Sequence, residues 1–259
     1  MAQSLPDAPP VLSGDIDPAS LTDAELLDIL RRIEAQRQRP GRVAIFGIPS
    51  GFGAPKGYGF VSAAATNRRD RGRLGAWDAS LAFGVGLGNA TTGVGITPIV
   101  DITSVSPYHF GESGKLGIRV SRALPSRGAW QMSVAVDANN LLTWGDSNVL
   151  DTEMSIAVSA IRPGDARGRY PVMLTLGYGT GVSGIGTAPD FFAGAGVGLR
   201  RNLGLSLGWY GDEAIAGASL WPHPDRNLLI SFGIGDITNA VSGRRFLMAV
   251  SFARPVGRN

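Results

Sequence analysis

The sequence predicts an all-β fold: a closed, up-and-down antiparallel barrel of the transmembrane type, with about twelve strands and a short N-terminal helix. Three observations predict it. First, between residues 56 and 253 large apolar residues alternate with Gly, Ser or Ala, and polar turns interrupt the alternation at regular intervals. From Trp77 to Leu87 one face reads Trp77, Ala79, Leu81, Phe83, Val85 and Leu87, and the other Asp78, Ser80, Ala82, Gly84 and Gly86. Successive side chains of a strand point to opposite faces, so a period of two means strand. An apolar outer face over a small, polar inner face is the inverse of a water-soluble barrel.

Second, charged residues are 17% of the chain and 37 residues are glycine. Charge is below the usual share for a soluble domain and glycine well above it. Glycine weakens a strand in water, so its abundance inside strand-like runs needs a reason. Third, no apolar run reaches the roughly 18 residues of a transmembrane helix, which leaves a closed barrel as the way to span a bilayer with every backbone group paired. The net charge of +3 comes with no dense basic stripe, so nucleic acid is not an expected partner. With no cysteine, disulfides, thiolate metal sites and a cysteine nucleophile are excluded.

Taken in order, residues 1–55 form an N-terminal extension and residues 56–259 the barrel. Residues 1–19 are rich in Pro and Asp and read as a flexible arm. The start, Met1-Ala2-Gln3-Ser4, reads as a mature N-terminus from which a signal sequence has been removed. Thr22-Asp-Ala-Glu25 is a capping box before Leu26, Leu27, Ile29, Leu30 and Ile33, which predicts an amphipathic helix over 22–37. Residues 40–55 are an apolar connector able to pack inside or beneath a barrel. Strands are predicted at 56–66, 76–87, 93–103, 115–123, 130–138, 152–162, 170–179, 191–200, 203–211, 214–221, 227–236 and 244–253. Most are long enough to cross a bilayer when tilted. Trp77 and Trp130 open strands while Trp209 and Trp221 close them, as an aromatic girdle requires. Short and long connections roughly alternate, with 163–169 and 212–213 fitting poorly. A periplasmic N-terminus puts the short ones on the periplasmic side. The alternative is a soluble β-sandwich or lipocalin-like barrel.

The chain resembles a set of uncharacterised cyanobacterial-type predicted outer-membrane barrels. The likeness lies in Val43-Ala-Ile-Phe-Gly-Ile-Pro-Ser-Gly-Phe-Gly53, Ala82-Phe-Gly-Val-Gly-Leu-Gly-Asn89, Phe110-Gly-Glu-Ser-Gly-Lys-Leu-Gly117 and Asn140-Leu-Leu-Thr-Trp-Gly145. It continues in Leu203-Gly-Leu-Ser-Leu-Gly-Trp-Tyr-Gly211 and Asp236-Ile-Thr-Asn239. The resemblance covers most of 43–253 and implies a barrel in a bacterial outer membrane; it supplies no catalytic residue. The tail after Phe252, Ala-Arg-Pro-Val-Gly-Arg-Asn259, departs from barrels that end on an aromatic residue.

Motifs that carry chemistry are weak. Gly204-Leu-Ser-Leu-Gly208 matches a nucleophile elbow, but alternation runs straight through Ser206 where the elbow needs a strand-to-helix turn. The two histidines, His109 and His223, fall in connections at opposite barrel ends on this topology, and neither has a nucleophile beside it. Gly194-Ala-Gly-Val-Gly198 and Gly177-Tyr-Gly-Thr-Gly181 do not complete a dinucleotide fingerprint, and Gly114-Lys115 does not complete a phosphate loop. No enzymatic activity, cofactor or metal is expected.

The glycines speak instead to the lumen. Gly84, Gly86, Gly196, Gly198, Gly204, Gly208, Gly233 and Gly235 on the inner face leave almost no side-chain volume. Either the lumen is a water-filled pore, or residues 1–55 fold into it as a plug; glycine also permits strong coiling of the sheet. The candidate lumen-lining charges are Asp78, Arg119, Asp137, Glu153, Arg200 and Asp236, which either order polar solutes or pair with one another. The expected function is a passive channel or gated pore for small hydrophilic solutes in a bacterial outer membrane. The alternative is a structural barrel that presents its N-terminal helix, or the loops 104–114 and 139–151, to a protein partner. Membrane lipid is the expected partner in both, and the sequence does not set the oligomeric state.

Overall fold

In the computed structural model the described residues are 42–67, 77–164, 170–182, 188–223, 226–240 and 243–257. They belong to one compact unit, Pro40–Asn259; the helix predicted at 22–37 lies outside the described residues. The alternating runs form strands β1 (Tyr58–Asn67), β2 (Trp77–Val85), β3 (Leu87–Gly88), β4 (Gly95–Ile102), β5 (Gly114–Arg127), β6 (Trp130–Trp144) and β7 (Glu153–Arg162). They continue as β8 (Val172–Gly179), β9 (Asp190–Arg200), β10 (Leu203–Tyr210), β11 (Glu213–Leu220), β12 (Leu228–Gly235) and β13 (Arg245–Pro255).

Every strand pairs antiparallel with its sequence neighbour, and β1 closes on β13 in the register Tyr58↔Pro255 through Thr66↔Leu247. The two-residue β3 continues β2 beyond Gly86, and both pair with β4, so the thirteen runs make a closed wall of twelve strands. Closure leaves no free edge to template aggregation. At one end lie Arg42, where the described residues begin, and the connections 89–94, 128–129, 163–171, 201–202 and 221–227. At the other lie the strand ends Asn67 and Trp77 and the connections 103–113, 145–152, 180–189, 211–212 and 236–244. We call these the short-turn and long-loop ends, although 163–171 and 211–212 break the pattern.

The face assignment follows the alternation. Large apolar side chains stand exposed on the outside all round the wall, among them Phe83, Val120, Val136, Ile156, Phe232 and Val250; Leu176 is 63% and Leu207 60% exposed. The inner face carries small hydroxyls that satisfy each other across neighbouring strands. Ser159 Oγ and Thr175 Oγ1 are 2.5 Å apart, Ser62 and Ser251 2.7 Å, and Ser219 and Ser231 3.1 Å.

Three sequence expectations are corrected. The connection predicted at 139–151 begins only after Trp144, because β6 resumes pairing with β5 (Leu116↔Leu142, Gly114↔Trp144) past a bulge at Asn139–Leu141. Asn140 sits there at φ 56°, a left-handed conformation that asparagine tolerates. Trp221 is buried rather than part of an outer girdle, since it continues the inward parity of Ile215, Gly217 and Ser219. Finally, β13 runs to Pro255, two residues past the predicted end at 253, with Ala253-Arg254-Pro255 paired alongside Tyr58–Phe60.

Candidate functional site

The lumen is the candidate site, and its occupant is the chain's own segment 42–55. This segment enters at the short-turn end, where Arg42 Nη2 lies 3.5 Å from Asn227 Oδ1. It climbs past β9, turns at Phe46–Ile48, crosses beneath β6 and β7, and leaves beside Gly86. There Gly57 N–H donates to the Gly86 carbonyl and Gly86 N–H to the Tyr58 carbonyl, at 2.8 Å each. The bulge that separates β2 from β3 is thus the place where the segment passes into the wall.

The inner-face glycines are what the segment rests on. A β-carbon on Gly196 would stand 2.7 Å from the Ala44 carbonyl oxygen, and one on Gly194 2.7 Å from Ile45 Cγ2. One on Gly217 would stand 2.7 Å from Phe46 Cβ, and one on Gly233 2.8 Å from Phe46 Cδ1. The wall also offers hydrogen bonds to main-chain groups that would otherwise be buried unpaired. Phe46 N–H donates to Ser206 Oγ (3.1 Å), Gly51 N–H to Ser159 Oγ (2.8 Å) and Ala54 N–H to Thr97 Oγ1 (3.3 Å). At the top of the segment Ile48 packs with Ala157, Val182, Phe192 and Ile215, and Ile45, Tyr210 and Leu247 border this cluster.

Of the sequence-predicted lumen residues, Arg119 and Asp137 meet. Arg119 Nε donates to Asp137 Oδ1 (2.6 Å) and Nη2 to Oδ2 (3.1 Å), while Nη1 reaches the Phe52 carbonyl (3.2 Å). One cation therefore ties β5, β6 and the internal segment together, in the bidentate geometry that favours arginine. Asp78 lines a cavity of about 420 Å³ above Phe46 and Gly47, open toward the long loops. Glu153 stands on the inner face at the start of β7, hydrogen-bonded by Asn140 and beside Lys115. Arg200 is exposed at the short-turn rim, since its strand ends there and the register shifts at Leu203/Gly204. Asp236 is fully buried, but in the turn after β12. Its carboxylate accepts from Ala240 N–H (2.7 Å) and Gly243 N–H (3.3 Å), so it braces a connection rather than facing a solute.

Sequence reasoning missed the Glu213–Arg245 ion pair, which joins β11 and β13 on the cavity wall. Both residues open strands, and their inward parity (Glu213 with Ile215, Arg245 with Leu247) was the available signal. Tyr210 completes that wall, its ring centroid 5.8 Å from that of Phe192. Ser206 is spent on the internal segment, and also lies 3.5 Å from the Gly217 carbonyl. His109 is an exposed loop residue bonded to Glu112 (2.9 Å), and His223 an exposed residue at the opposite end.

No protein-family model matches the chain, and no curated protein matches it. Seven chains of solved structures do. One, described as "Asymmetric conductivity of engineered proteins", is similar over 76% of this chain and 99% of its own, at 12% identity and a TM-score of 0.31. So loose a likeness bears on nothing beyond itself.

Proposed function

We propose that the protein is a bacterial outer-membrane β-barrel whose lumen is a passive, gated pore for small hydrophilic solutes, closed at rest by residues 42–55. The observation that carries this reading is the belt of exposed large apolar side chains around a wall with no free edge. In water such a belt far exceeds the few hundred Å² of contiguous apolar surface a monomer normally shows. In a bilayer it is the required surface, and every strand finds its hydrogen-bond partners inside the wall. The cyanobacterial-type resemblance implies the same location.

The pore half of the reading rests on the lumen. A vestibule whose mostly apolar lining carries Asp78, Ser80, Thr66 and the Glu213–Arg245 pair ends on the apex of the internal segment at Phe46–Gly47. That segment is continuous with the wall only through β1, so its displacement toward the short-turn end would join the vestibule to the opposite side. No catalytic step is assigned.

A second reading has its own support. The apolar packing around Ile48 is what a permanently closed barrel needs, and such a barrel would serve as an anchor presenting its N-terminal helix or long loops to a protein partner. Planar-bilayer recording separates the two. The full-length protein is compared with a form lacking residues 1–55 and with Ile48→Asp, which places a charge in the apolar cluster. Brief openings in the wild type that become sustained in both variants support the gated pore. A silent wild type beside a conducting deletion form supports the anchor, and silence in all three inserted proteins rejects a pore.

A further inference from the structure

Among the described residues the charges of the barrel are segregated end to end. Its short-turn end exposes Lys56, Arg122, Arg127, Arg200, Arg226 and Arg254. Every carboxylate among the described residues lies elsewhere, in the half toward the long loops or on those loops, with Asp137 the nearest to the middle.

Several of these cations share the outer face with the apolar belt and mark its margin. Arg122 follows Val120 outward on β5 and pairs with Val134 of β6. Arg162, at the end of β7, holds its guanidinium 5.5 Å over the ring of Trp130. Arg254 follows Phe252 outward on β13. An arginine so placed lays its stem along apolar surface and puts its head at the boundary with water, where lipid phosphates lie. Its planar fork matches a phosphate with two parallel donors. Beside Arg254 the outer surface is hollowed into an apolar groove of about 620 Å³, bordered by Val61, Phe83, Val85, Val100, Phe252 and Val256.

We propose that the short-turn end of the barrel binds anionic phospholipid, with headgroup phosphates on Arg122, Arg162 and Arg254 and one acyl chain seated in the groove at Arg254. The proposal rests on the membrane reading above and adds to it the lipid class and the residues that select it. It also fixes which rim meets the more anionic surface. Charge complementarity and the continuity of the groove with the belt argue for a lipid occupant. A soluble anion would have no use for an apolar groove that opens on the outer face.

The test offers refolded full-length protein to vesicles of zwitterionic phosphatidylcholine, and to vesicles in which about one third of the lipid is phosphatidylglycerol. Insertion is scored by protease protection of the barrel. Insertion into both, faster and more complete in the anionic vesicles, is expected. Raising the salt should erase that preference without any mutation, because it screens the attraction. Replacing the three arginines together (R122Q, R162Q, R254Q) should lower the preference about 100-fold, at roughly fivefold for each cation near an anionic surface. Detergent-refolded circular dichroism verifies that the triple variant keeps the barrel. Equal insertion into both vesicles overturns the lipid proposal and leaves the membrane reading standing. Insertion into neither, from folded protein, overturns both.

Discussion

The carbonyl oxygen of Ala44 passes over Gly196 so closely that a β-carbon on the glycine would stand 2.7 Å from it. Val43 Cγ2 and Ile45 Cγ1 flank the same point at 3.1 and 3.3 Å. Backbone lies on one side of this contact and the barrel wall on the other, so neither can yield by rotating a side chain. Gly196→Ala should therefore lift the internal segment off β9. We expect a loss of about 1–3 kcal/mol, as for overpacking in a core. Thermal melting in detergent measures it. If the segment is the gate, the variant should also be cut by protease between residues 42 and 55, where the wild type resists.

Ile48 is the reverse case, a side chain that fills space. It is buried among Ala157, Val182, Phe192 and Ile215. Ile48→Ala should lower stability by about 2–5 kcal/mol, the range for deleting a large buried aliphatic. An unchanged melting temperature would mean that the segment is only loosely held and that the barrel's stability resides in its wall.

The Arg119–Asp137 pair makes a sharper prediction, because Arg119 also holds the Phe52 carbonyl. Losing one partner strands the other in a buried setting, so Arg119→Met and Asp137→Leu should each cost about 3–5 kcal/mol. The double replacement should cost less than the sum, since no charge is left unpaired. Additive costs in the melting experiment would show that the two residues act separately.

Inward charge should set ion preference in the form lacking residues 1–55. Arg119 and Asp137 neutralise each other, as do Glu213 and Arg245, leaving Asp78, Asp101, Glu153 and Asp190 against Lys115 on the described inner wall. Reversal potentials in a salt gradient should show cations preferred. Asp78→Lys should reduce that preference by about twofold or more, most clearly at low ionic strength. An anion-selective pore would mean that residues outside this set, such as the arginines of 68–73, dominate the field.

Much of the wall was legible in the sequence because alternation is a local property. From Glu213 to Leu220 and from Arg245 to Phe252 each residue's face follows from its neighbour's, and the strand limits lie within a few residues of those expected. The same rule places Trp221 inside, and reading tryptophan as a girdle residue overrode it. Alternation fails where the backbone slips. Asn139, Asn140 and Leu141 add residues to one strand without a partner in the other, and the pattern beyond them reads as loop. Gly196, Gly198, Gly204 and Gly208 showed that the lumen was left empty of wall side chains, but an absence does not identify what fills it. The pair Glu213 with Arg245 spans β12, joining two strands that each pair with it, so it depends on the register of two successive hairpins, which alternation along one strand does not encode.

The seam between β1 and β13 joins the first and last strands to leave the ribosome, with Tyr58 against Pro255. The sheet therefore cannot close until nearly the whole chain exists, and its final pairing spans the greatest sequence separation in the barrel, a contact type that slows folding. Residues 42–55 precede every strand and enter and leave by one rim, so the wall can assemble around them without a free end being pulled through a finished ring. The internal segment can thus act as a mandrel on which the strands are laid down before the ring is sealed.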